Sequence, residues 1–254
     1  YGLADNVAEP FVIIAGEVLP LNHDVVFTLS VYDEKNRLSG RQSFSRTLNT
    51  DYVNIDAGFL STSISATGAI GFNYPDYSQG RGLIFTNAFT ALSCAGIIIA
   101  NGPHEYVDNV YGADSASFSS SLIPLSLPFV DSNHPIAFKH VKGRLTDIKY
   151  GTNEGQVYQA EDIDVPLGVS VNYNAYFREE KTEAAFFILE YEIFNETERT
   201  FEDLYAGFFA DWVLRDNKHH RAKLDVSARL AYAYSETGGH YAGIQLLEDS
   251  PLRH

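Results

Sequence analysis

From Gly168 to Phe177 apolar and polar side chains alternate without a break, as Val169-Ser170-Val171-Asn172-Tyr173-Asn174-Ala175-Tyr176-Phe177. A period of two places the two sets on opposite sides of an extended strand, whereas a helix would scatter them around its circumference. One buried face and one solvated face are therefore expected here. The next apolar segment, Ala185 to Phe194, follows the same rule and sets Glu190 and Glu192 together on the outward side. Asn195-Glu196-Thr197-Glu198-Arg199-Thr200 turns the chain, and Leu204 to Trp212 comes back. Leu230–Tyr234 and Tyr241–Leu247 flank Thr237-Gly238-Gly239, the pattern of a hairpin.

The rest of the chain reads the same way. Val25, Phe27, Leu29 and Val31 fall on one side of an alternating run. Asp33-Glu34-Lys35-Asn36 makes a polar turn, and Ser43 to Leu48 forms a return strand. Ser61 to Gly71 predicts a strand followed by a turn, running on into Gly71-Phe72-Asn73-Tyr74-Pro75. Ile84 to Ile99 predicts a buried hairpin, with a helix as the alternative. Ser115 to Ser121 is serine-rich. Pro124, Pro128 and Pro135 then keep the chain extended, since each lacks the amide hydrogen a helix needs. Short strands, frequent turn signals and no long amphipathic helix predict an all-β antiparallel β-sandwich. The texture changes near residue 51. Residues 1–50 read as Ig-like strands or an N-terminal extension, and residues 51–254 as the large sandwich.

Composition excludes several functions. With 33 acidic against 18 basic residues the net charge is −15, which repels phosphate backbones and anionic lipid, so neither nucleic acid nor a membrane is an expected partner. The apolar run ending at Ala100 is too short to cross a bilayer. The single cysteine, Cys94, rules out an internal disulfide and sits in an apolar run, where an inert buried thiol is expected. No methionine occurs, even at position 1, which predicts a processed product or an excised piece with any export signal in sequence before it.

The catalytic signatures are missing. His104-Glu105-Tyr106-Val107-Asp108 lacks the second histidine of a zinc peptidase helix, and no nucleophile elbow, phosphate loop or dinucleotide fingerprint occurs. His219 and His220 are adjacent, so on a strand they point to opposite faces and would not share a metal. Trp212, the only tryptophan, ends an apolar strand and is expected in the core or at the strand end rather than on a sugar-stacking platform. Asn195-Glu196-Thr197 matches a glycosylation sequon in an exposed turn. No cofactor motif is present. Calcium is the one ion the carboxylates suit, and Asp211, Asp216 and Asp225 are the candidate ligands, although their spacing is not that of an EF-hand.

Tyr205-Ala206-Gly207-Phe208-Phe209-Ala210-Asp211-Trp212, with Ala231-Tyr232-Ala233-Tyr234 and Tyr241 to Leu247, resembles a β-rich region found C-terminal to subtilisin-like serine peptidases of Bacteroidetes-type bacteria. Gly71 to Tyr74, Gly82 to Phe85, Gly96 to Ile99, Val107 to Gly112 and Phe186 to Asn195 are similar to the same region, and the first 50 residues resemble the end of the immunoglobulin-like module before it. The resemblance spans residues 10–248. It implies a non-catalytic accessory sandwich, secreted or at the cell surface, often in chains sorted by a type IX system. The peptidase triad lies in a domain this sequence lacks, so no catalytic residue carries over. The family pattern has a second acid two residues after the first, where this chain has Val213, which bears on any metal site carried over.

Three functions follow as expectations. The first is an accessory or binding module, its partners being neighbouring domains of the same parent chain, a glycan or a surface protein. The second is a carbohydrate-active enzyme using two carboxylates, or a glycan-binding domain. The third is a structural subunit of a surface assembly.

Overall fold

The computed structural model describes residues 12, 19–71, 80–86, 89–110, 121–135, 137–148, 166–179, 185–214, 220–237 and 239–247. The predicted turn after Gly71, the serine-rich stretch before Ser121, His219 and Asp216 lie outside them. Among the described residues every regular element is a strand: β1 (His23–Tyr32), β2 (Leu38–Leu48), β3 (Tyr52–Ala57), β4 (Leu60–Ser65), β5 (Ile70–Gly71), β6 (Leu83–Phe85), β7 (Phe89–Ala100), β8 (Tyr106–Asp108), β9 (Ile123–Pro124), β10 (Phe129–Asp131), β11 (Lys139–Thr146), β12 (Val169–Phe177), β13 (Phe187–Asn195), β14 (Tyr205–Trp212), β15 (His220–Asp225), β16 (Leu230–Ser235) and β17 (Tyr241–Gln245). The strands pair antiparallel throughout, so the chain is all-β.

Two compact units divide at residues 51 and 52. The first contains the β1–β2 hairpin. Its turn is held by Asp33, whose carboxylate accepts the amides of Lys35 (2.9 Å) and Arg37 (2.8 Å), and Asn36 supplies the left-handed residue at φ 59°. Phe27 and Phe44 pair across the ribbon with ring centroids 5.5 Å apart. The alternation read from the sequence is present, but only Val25 and Phe27 are half-buried. Leu29 and Val31 are exposed.

The second unit is a sandwich. One sheet runs β10-β11-β12-β13, with β9 also on β11. The other runs β14-β7-β5-β4-β3, with β6 between β4 and β7 and β8 on β7. Their inner faces share one core: Ile55, Ile64, Ile97 and Ile99 from the second sheet meet Val141, Val169, Val171 and Tyr173 from the first. The expected hairpin between Ile84 and Ile99 is β6–β7. The turn after Asn195 is also present, but β14 does not return beside β13. It crosses to the other sheet and pairs with β7, which lets Phe208, Ala210 and Trp212 face the core from that side. A third sheet, β15-β16-β17, packs Ala233 and Ala242 against Ala91, Leu214 and Trp212. Trp212 thus bridges two apolar clusters, as its place at a strand end suggested.

Candidate functional site: the outer face of the β10–β13 sheet

On β12 the residues Val169, Val171, Tyr173, Ala175 and Phe177 are buried, and Asn172, Asn174 and Tyr176 point outward beside Ser170. The register then builds rows across three strands. Arg144, Asn172 and Glu192 stand abreast; so do Lys142, Asn174 and Glu190, and at the end His140, Tyr176 and Ile188. A cationic row on β11 is thereby separated from a carboxylate row on β13 by a row of amides and a phenol. Neighbouring strands lie ~4.8 Å apart, so cations and carboxylates are held about two strand spacings from each other.

The amides and the phenol bind the carboxylates. Asn172 Nδ2 donates to Glu192 Oε2 (3.0 Å), and both Asn174 Nδ2 (3.3 Å) and Tyr176 Oη (2.8 Å) donate to Glu190 Oε2. Ser170 donates to Glu196, which also takes Arg144 at 3.2 Å. The Tyr176 phenol is pushed up to about 12, first by lost hydration and then by the hydrogen bond to Glu190 and the charges of Glu190 and Glu192, so it stays a donor at neutral pH. The His140 ring stacks on Tyr176 (centroids 4.6 Å apart, 11° between planes) and meets the edge of His134 at 4.7 Å. Lys142 sits 5.4 Å from the centre of the Phe129 ring.

Glu190 and Glu192 are exposed, and each accepts a side-chain hydrogen bond from β12. The arrangement presents hydrogen-bonding groups at fixed positions.

Of the residues expected to bind calcium, Asp216 lies outside the described residues. Asp211 lies on β14 opposite Cys94, and Asp225 ends β15 in a different sheet. The Asp225 carboxylate takes the Ser227 hydroxyl (2.6 Å) and the Ala228 amide (3.0 Å), bonds that hold it below its ordinary pKa and commit it to its own turn. Among the described residues no group of three or more His, Cys, Asp or Glu side chains is placed to hold a metal ion. Cys94 is buried, and burial followed by the charge of Asp211 pushes its thiol up to about 12. Glu105 of the His104-Glu105 pair accepts from Asn101 (2.8 Å) and Arg199 (3.1 Å). In the sequon, Asn195 Nδ2 is engaged with the Arg199 carbonyl at 2.6 Å.

The sequence pointed to the outward Glu190 and Glu192 but not to the site as a whole. The partners Arg144, Lys142 and His140 come from a strand some 30 residues away, and only strand pairing brings them alongside. No protein family, curated protein or solved structure matches the chain.

Proposed function

We propose that this chain is a non-catalytic accessory and binding module of a larger secreted or surface bacterial protein. The observation that carries the reading is the hydrogen bonding of Glu190 and Glu192: the most regularly placed acids on the outward sheet are engaged by the side chains of Asn172, Asn174 and Tyr176. The unreactive Cys94 thiol and the resemblance to accessory regions of secreted peptidases support it as well. Such a module stabilises or positions the domains beside it and offers a preordered polar surface to a partner.

The test is turnover. The folded chain is incubated with peptide substrates and with polysaccharides, and released ends are measured. No product is expected. Product that disappears in Glu190→Gln or Glu192→Gln overturns the module reading in favour of a carbohydrate-active enzyme using these two acids.

A further inference from the structure

The outer face of the β10–β13 sheet offers cations, amides and carboxylates in adjacent rows. A polyanion laid across it would gain from Lys142 and Arg144 but meet Glu190 and Glu192, on a chain whose net charge is already −15. A polycation would meet the reverse. A neutral chain rich in hydroxyl groups meets no repulsion, because each hydroxyl both donates and accepts and can use every row. The face also ends in apolar rings. Phe129 on β10 is 58% exposed and Phe194 on β13 is 43% exposed, at opposite margins of the polar rows. Exposed rings beside fixed polar groups suit a ligand with one apolar and one polar surface, as the C–H face and hydroxyl rim of a pyranose provide.

One buried group on this face lacks a donor. Asn174 gives its Nδ2 to Glu190, so its Oδ1 turns to His140 and accepts the Nε2 hydrogen at 2.8 Å. That tautomer leaves His140 Nδ1 as a bare acceptor. The residue is 7% exposed, and Nδ1 has no partner among the described residues.

Resting on the module reading above, we propose that this face binds a neutral polysaccharide, with Asn172, Lys142 and Glu192 on its hydroxyls and Phe129 against a sugar face. The other aromatic cluster, Tyr232, Tyr234 and Tyr241 on the third sheet, serves as the internal control. There Tyr241 is 68% exposed and its ring lies 5.7 Å from that of Tyr234.

The experiment is affinity electrophoresis of the whole chain in gels containing a β-glucan, a xylan or a mannan, with heparin and polylysine as charged comparisons. Retardation by at least one neutral polymer is expected, weakened ten-fold or more in Phe129→Ala and in Asn172→Ala and unchanged in Tyr241→Ala. Both test residues are outside the core, and thermal melts confirm that the variants fold. The proposal is overturned by retardation in none of the neutral gels, by retardation in a charged gel alone, or by neutral binding that survives Phe129→Ala and Asn172→Ala. Absence of neutral-polymer binding by the parent chain, with no turnover, removes the glycan ligand and leaves the module standing; turnover removes the module reading itself.

Discussion

Tyr173 lies across Gly143. The two are register partners on β12 and β11, and a Cβ built on Gly143 would clash with the Tyr173 hydroxyl and the ring carbons Cζ (2.5 Å) and Cε1 (2.6 Å). The ring is buried, and its hydroxyl reaches the Ser65 carbonyl of the facing sheet at 3.4 Å, so it has little freedom to move aside. One missing side chain on β11 therefore lets an aromatic ring join the two layers. Gly143→Ala is expected to destabilise the fold by about 1–3 kcal/mol, the usual range for forcing extra volume into a packed interior. Urea unfolding should show a lower midpoint with an unchanged slope.

Asp147 is 1% exposed and accepts the amides of Gly168 (3.0 Å) and Val169 (2.8 Å), fixing the entry to β12. Asp147→Ala leaves these buried donors unpaired. A loss of roughly 2–4 kcal/mol is expected, since each orphaned buried donor carries its own desolvation cost. Asp147→Asn keeps one acceptor oxygen and should recover part of the loss in the same melts.

Asp108 is raised to about 6 by burial, although the Val110 amide bonded to it (2.9 Å) pulls the other way. The folded chain therefore holds this proton over a range where the unfolded chain, with the ordinary value of 3.8, has released it. Its contribution is greatest below about pH 4 and is lost as pH rises through 6, on the order of 3 kcal/mol in all. Asp108→Asn should melt higher than the parent at pH 7–8, and the two curves should converge near pH 4.

Cys94 faces Asp211 across β7 and β14. With the thiol buried and pushed up to about 12, almost no thiolate exists at pH 8. A thiol reagent such as 5,5′-dithiobis(2-nitrobenzoate) should label the native chain negligibly and the denatured chain at one equivalent. Rapid labelling of the native chain would contradict the burial.

Much of the second unit is legible in residue order. The two-residue period of β12 marks Val169, Val171, Tyr173, Ala175 and Phe177 as the buried set, and the same period puts Glu190 and Glu192 outside. The hairpins β6–β7 and β16–β17 are signalled by apolar runs around turns, and the apolar neighbours of Cys94 announce its burial. Residue order does not say which sheet a carboxylate joins: Asp211 and Asp225 are 14 residues apart in sequence but belong to different sheets, and Asp225 is bonded within a local turn.

By itself, then, the sequence determined that the chain is β, which side of each strong strand is buried, and that the surface is acidic, because these depend on side-chain alternation and composition. Tertiary structure alone decided that β14 joins β7 rather than β13, that Gly143 makes room for Tyr173, and that His140, Lys142 and Arg144 stand beside the amides and acids of β12 and β13. Those are matters of register between distant segments. A shift of one residue would turn every side chain to the other face, and what prevents it is the packing of two whole layers rather than any local preference.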